Sequence, residues 1–249
     1  MYTDILIESQ THDEWLQYSN SLWDGRRIDV VKKIINLFTD PEEIVLDPFM
    51  GTGYTLVAAN TLDRMAIGFE INKKYITTAD ERLKIYKDSY QIIKDSCINI
   101  NKYLYEESVD LCVTSPPCWN ILSHRHIAYK KHKETSSVQR NIGNTNSYSL
   151  YLNNLTRAFS GVYEVLKANK MCIVIASDRR KRNRFYPLHI DLTNIMTDIG
   201  FTLEDLIIWD RRKEHSILKA VDNSCIYKSN IVHEYICIFR KITKESRIL

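Results

Sequence analysis

The sequence has few residues that bend or break a chain. It has seven glycines and five prolines in 249 residues, so any place where two of them cluster needs a reason. It has no apolar run of membrane-spanning length, and its start, "MYTDILIESQ", lacks the basic and apolar stretches of a secretory leader. It has six cysteines but no CxxC pair. Scattered thiols inside apolar runs exclude a zinc knuckle or a disulfide framework, so no metal is expected. Reduced thiols imply a cytoplasmic protein. It also lacks a strong net charge, at +3. The distribution says more, because "YKKHK" (129–133), "RRKRNR" (179–184) and "DRRK" (210–213) concentrate cations in three places. One such run is ordinarily a solvated loop; three, each after an apolar run, point to a polyanionic partner.

What is present alternates. Short apolar runs at 43–47, 65–70, 109–113 and 171–178 have strand length. Between them lie segments with helical period, such as Ile28, Val31, Ile34, Ile35 and Phe38, or Leu152, Leu155, Phe159, Val162 and Leu166. Segment 73–86 has the same character. This pattern predicts an α/β fold with a mostly parallel sheet and helices on both faces. Runs 203–211 and 233–241 follow with no helix evident between them, which predicts an antiparallel pair at the end. A single domain over 1–249 is expected. Segments 120–148 and 211–232 are long, polar candidates for reading a target.

"EIVLDPFMGTGYTLVAAN" reads as strand, tight loop and helix. Gly51 and Gly53 supply the sharp turn and the close approach of a ligand. A dinucleotide fingerprint would need a third glycine where Leu56 stands, and a phosphate loop would need Gly-Lys-Ser/Thr. Asp47, taken to lie at the mouth of the loop, would repel a pyrophosphate and suit a ligand bearing a cation. Glu70, ending the next strand, is placed to accept from both hydroxyls of a ribose. Asp95, after the strand-like "YQIIK", is a candidate acceptor for an adenine amine. A ribose, a cation and no phosphate describe S-adenosylmethionine.

The second concentration is "TSPPCWN" (114–120), directly behind an apolar run. Two prolines fix φ and donate no hydrogen bond, so this is a rigid loop at a strand end. An exocyclic base amine is a poor nucleophile until acceptors at its hydrogens favour a pyramidal nitrogen. The Ser115 hydroxyl and the Pro116 carbonyl could be those acceptors, held rigid by Pro117. Trp119 could stack on a base rotated out of its helix.

At "LDPFMGTG" and "TSPPCWN" the chain resembles the S-adenosylmethionine-dependent DNA amino-methyltransferases, which modify cytosine N4 or adenine N6. Segments 29–38, "IGFEINKKY", "IIWDRRK" and "HEYICIFRK" are similar to family segments too. The resemblance implies a Rossmann-like class I methyltransferase fold, with seven strands and the last reversed. It implies a cofactor site of Asp47, Pro48, Phe49, Gly51, Gly53, Glu70 and Asp95. It implies catalytic roles for Ser115, Pro116, Pro117 and Trp119, and double-stranded DNA as partner, with a restriction endonuclease acting on the same site as a further partner. Serine at 115 leans toward cytosine N4, with adenine N6 as the alternative. Arg125, Lys130, Lys131 and Arg140 are expected on phosphates or bases, and Arg179, Arg180 and Arg182 along the backbone. Cys118 departs from the family, which has an aromatic there, and Pro117–Cys118 leaves cytosine C5 transfer through a thiolate as a minor alternative. An RNA base methyltransferase and a catalytically silent nucleic-acid-binding subunit are the other readings.

Overall fold

The computed structural model describes residues 21–86, 88–119, 142–181, 184–212 and 231–242. Arg125, Lys130, Lys131, Arg140 and Arg182, and most of both candidate reading segments, lie outside the described residues.

The chain runs β1 (Leu22–Trp23), α1 (Arg27–Phe38), β2 (Ile44–Asp47), α2 (Tyr54–Asn60), β3 (Met65–Phe69), α3 (Lys73–Leu83) and β4 (Tyr90–Ile93). A 3-10 turn at Cys97–Lys102 leads to β5 (Val109–Thr114), α4 (Tyr148–Val165) and β6 (Leu166–Ala176). Strands β7 (Arg179–Lys181) and β8 (Arg184–Tyr186), helix α5 (Leu188–Ile199), β9 (Phe201–Asp210) and β10 (His233–Lys241) complete it.

One sheet has the order β1-β9-β10-β6-β5-β2-β3-β4. Strand β10 is antiparallel to both β6 and β9, as expected for the reversed last strand, and the other neighbours are parallel. The sheet has eight strands rather than seven, because Leu22–Trp23 pairs with Ile208–Trp209 at its edge. Two residues give no sequence periodicity, so nothing in the pattern marked them.

The middle strands are buried on both sides. In β5, Val109 and Cys112 face the layer that holds Phe159 and Leu155, whereas Leu111 and Val113 face the layer that holds Ile34 and Ile35. This two-sided burial is why these strands read as continuous apolar runs. Each fully buried Leu or Ile contributes about 1.5–3 kcal/mol.

Three sequence boundaries move. Leu166 ends no helix; it is extended (φ −74°, ψ 134°) and opens β6. The first part of β6, "LKANK", was too polar to read as strand, and its pairing with β5 shifts register between Val109 and Leu111. Helix α5 went unread between two better-marked runs, although Pro187 precedes it and Gly200 (φ +125°) ends it. The "RRKRNR" cluster is no plain loop: β7 and β8 form a separate two-stranded antiparallel hairpin.

Candidate active site

Strand β2 lies between β3 and β5. The chain leaves β2 toward β3 and β4, then returns to β5 on the other side. The loops after β2 and β5 therefore face each other at a topological switch point, where open α/β sheets bind ligands.

The loop after β2 is shaped by two left-handed glycines, Gly51 at φ +53° and Gly53 at φ +81°. A Cβ on Gly53 would also lie 3.0 Å from the Ala79 Cβ of α3. The loop is fastened by Met50 N–H to Phe69 carbonyl (3.2 Å) and Gly53 N–H to Met50 carbonyl (2.9 Å). Gly68 makes room for it, since a Cβ there would meet the Met50 sulfur at 2.5 Å.

Asp47 is not at the mouth of this loop. Its side chain is 3% exposed. Its Oδ1 accepts from the Phe49 amide at 3.0 Å and from the Thr114 hydroxyl at 2.6 Å. A carboxylate that ties the start of one loop to the last residue of β5 holds two loops in register. It does not present a charge to solvent. Burial raises its pKa, against the hydrogen bonds from Thr114, Thr55 and Phe49 and the nearby Arg27 charge.

A cavity of about 330 Å³ opens between the two loops. Of the expected cofactor residues, Pro48, Phe49, Gly51, Glu70 and Asp95 line it, together with Ser115 and Pro117 of the second loop. Gly53 and Asp47 are not among its lining residues. Glu70 Oε1 accepts from the Ile71 amide (2.8 Å) and the Asn72 amide (2.7 Å), and the Gly51 amide also favours the charged carboxylate, so what acceptor capacity remains lies on Oε2. Desolvation raises the Glu70 pKa. Asp95 is more heavily engaged. It accepts from the Ser96 amide (2.7 Å), the Asn99 amide group (2.9 Å) and the Tyr103 hydroxyl (3.0 Å). Burial works to raise its pKa, but these donors outweigh it and hold the carboxyl below its ordinary value. With about four lone-pair sites per carboxylate, one remains for a ligand.

In the second loop Ser115 and Pro117 are half-buried at the cavity and Pro116 is buried. Trp119 is placed differently from expectation. It is 8% exposed and absent from the cavity wall. Its indole N–H donates to the Thr145 carbonyl at 2.8 Å. Its ring packs on Tyr148 (5.1 Å between centroids) and Tyr186 (4.9 Å). The Lys181 ammonium sits 4.2 Å from its centroid. A ring covered this way anchors the loop and is not presented to a base. Cys118, half-buried, lines the cavity in its place.

Sequence reasoning missed Ile71, Tyr75, Ser96, Cys97, Ile142 and Gly143, which also line the cavity. Gly143 carried a mark, as one of seven glycines in an otherwise polar segment. A Cβ there would meet the Cys118 carbonyl at 2.9 Å, so the chain after residue 141 packs directly on the loop after β5. Among the described residues no group of three or more His, Cys, Asp or Glu could hold a metal, and no helix is long and apolar enough to cross a membrane.

Arg179 and Arg180 lie on the hairpin beside Trp119. Arg211 of the third basic cluster is already paired with Glu234, its guanidinium 4.3 Å from the Trp209 ring centroid. That arginine supports the fold.

Comparison with known proteins gives three kinds of likeness. The N6_N4_Mtase family model, described as DNA methylase, matches residues 28–81 and 109–247. The type II methyltransferase M.HindIII of Haemophilus influenzae is 45% identical over 62 residues, 25% of this chain and 20% of that protein. M.MjaVI of Methanocaldococcus jannaschii is 30% identical over 122 residues, 49% of this chain and 54% of that one. The match thus spans a fifth of the first relative's length and about half of the second's. A solved SAM-dependent methyltransferase of Methanosarcina mazei superposes with a TM-score of 0.54 at 12% identity, covering 85% of this chain and 98% of that one. At that identity the likeness is one of fold.

Proposed function

Because the chain belongs to the N6_N4_Mtase family of DNA methylases, we propose that it methylates the exocyclic amine of a base in double-stranded DNA, with S-adenosylmethionine as methyl donor and cytosine N4 as the acceptor. The observation that carries this reading is one cavity lined by both the glycine loop with Glu70 and the Ser115–Pro117 loop.

The residues fit that donor. The cavity falls within the ordinary range for small-ligand sites. Glu70 keeps one oxygen for ribose hydroxyls, Asp95 keeps one acceptor position for an adenine amine, and Phe49, Phe69 and Ile71 supply apolar wall. When bound, the donor supplies a methyl group on a sulfonium. The Ser115 hydroxyl and the Pro116 carbonyl accept from the two hydrogens of the target amine, which favours a pyramidal nitrogen with its lone pair free. The prolines hold these acceptors without reorganisation, and the facing loops hold nitrogen and methyl close. As the N–C bond forms the nitrogen becomes acidic and releases its proton toward water, so no strong base is needed. Serine at 115 is what favours cytosine N4 over adenine N6. A restriction endonuclease cutting the same site is the partner this function implies, and a cytoplasmic location follows from it.

The test is transfer of label from S-adenosylmethionine to unmethylated genomic DNA and to RNA, followed by nucleoside analysis. N4-methylcytosine is expected. N6-methyladenine would overturn the base assignment, and label confined to RNA would overturn the function.

A further inference from the structure

The β7–β8 hairpin has no part in the chemistry described above, yet it leaves the sheet two residues after β6 and packs against the catalytic loop. Its register pairs Arg179 with Tyr186, Arg180 with Phe185 and Lys181 with Arg184. Side chains alternate across such a ribbon. One face therefore carries Arg179, Lys181, Arg184 and Tyr186. This is the face that meets Trp119, through the Lys181 ammonium at 4.2 Å and the Tyr186 ring at 4.9 Å. The opposite face carries Arg180 and Phe185, whose guanidinium and ring lie 5.3 Å apart. Phe185 is 42% exposed.

Two features of this hairpin suit a ligand. Arg180, Lys181 and Arg184 lie over the aromatic rings of Phe185, Trp119 and Tyr186, and Arg184, although its register puts it on the inner face, is exposed, so the hairpin concentrates positive charge. An exposed phenylalanine under an arginine suits a polyanion that also offers flat apolar surfaces. Nucleic acid is such a ligand, with phosphates for the arginines and base faces for the ring.

We infer that the β7–β8 hairpin is a DNA-contacting wedge: Arg180 and Arg184 engage phosphates beside the target nucleotide, Phe185 packs on the bases next to it, and the inner face locks this contact to the catalytic loop through Trp119. The inference rests on the DNA methyltransferase reading and adds to it the element that positions the duplex. The Trp119 indole is bonded to Thr145 and packed on Tyr148, so the tie runs into the body of the protein and is rigid. Trp119 thus serves the loop as the joint between substrate contact and the Ser115 acceptors, in place of stacking on the base itself.

The experiment uses the full chain, a fluorescent duplex oligonucleotide for binding and unmethylated genomic DNA for turnover. Each phosphate contact removed lowers the slope of log affinity against log salt by about 0.9, so the Arg180→Ala, Arg184→Ala double variant should lose about 1.8 from the slope. Phe185→Ala should keep the slope and lower turnover on DNA roughly five- to a hundredfold, the range for losing one aromatic–base stack. Both variants should bind labelled S-adenosylmethionine as the parent does, which shows that they are folded. If the parent methylates DNA while slope and turnover match it in both variants, the hairpin assignment is overturned and the function stands. If the parent transfers no methyl group to DNA, the functional reading itself fails.

Discussion

Replacing Asp47 by asparagine tests whether the buried carboxylate is a structural tie bought at an electrostatic cost. Asparagine keeps an oxygen for the Phe49 amide and the Thr114 hydroxyl, the two bonds that join the loops. What it removes is a charge. Burial is the largest influence on Asp47 and raises its pKa in the folded protein, above the unfolded value of about 3.9. The folded state therefore binds the proton more tightly than the unfolded state. Stability from this group is fully present below the unfolded pKa and is lost as pH rises through the folded pKa. Asparagine does not titrate. The stability difference, variant minus parent, should move in favour of Asp47→Asn as pH rises, by up to about 1.4 kcal/mol per pH unit within that window, and then level off. Urea unfolding of both proteins at steps from pH 4 to 8, with the denaturant slope checked for constancy, measures it. A flat difference would show that folding does not shift the Asp47 pKa, and one that moves toward the parent would show the carboxylate stabilised as a charge; either would refute the argument. Asp47→Ala is the contrasting case. It leaves a buried amide and a buried hydroxyl without an acceptor, at about 1–3 kcal/mol each.

Gly143→Ala places a Cβ 2.9 Å from the Cys118 carbonyl and 3.2 Å from the Pro117 Cβ, neither of which is a flexible side-chain end. Expected are a loss of about 1–3 kcal/mol in unfolding free energy and a fall in kcat of about a hundredfold from a displaced loop, read by denaturation and methyl-transfer assays. Ser115→Ala should nearly abolish transfer while labelled S-adenosylmethionine still binds; loss of binding as well would place Ser115 in the cofactor site instead. Glu70→Gln should weaken cofactor binding at neutral pH. It should also remove a decline that the parent shows as pH falls through the raised Glu70 pKa, since only the charged carboxylate accepts from both hydroxyls; equilibrium dialysis across pH 4–8 decides it. Cys118→Ser should retain transfer, and the parent should form no covalent adduct with 5-fluorocytosine DNA; an adduct lost in the variant would establish the C5 route.

The core of this fold was legible because its central strands are buried on both sides, so sequence pattern and burial agree in β2, β5, the second half of β6 and β10. What was illegible shares a physical cause: the deciding contacts are long-range. Asp47 lies in a motif that marks a ligand loop, yet its partner is Thr114, 67 residues on, and no local pattern says which way a carboxylate at a strand end will turn. Trp119 beside two prolines reads as a tool for stacking. Its real surroundings come from Thr145, Tyr148, Lys181 and Tyr186, three different segments that meet only once β5, α4 and the hairpin are in place. The same holds for "RRKRNR", whose charge was visible but whose alternation into two faces required the pairing of β7 with β8. Local chemistry thus marked two loops that line one cavity, while the arrangement inside them belongs to the tertiary structure. That arrangement has a consequence for the loop "TSPPCWN". Ser115, Pro117 and Cys118 line the cavity, while Thr114 and Trp119 fasten the loop at its two ends, so a bulkier aromatic at 118 would narrow the space between those ends.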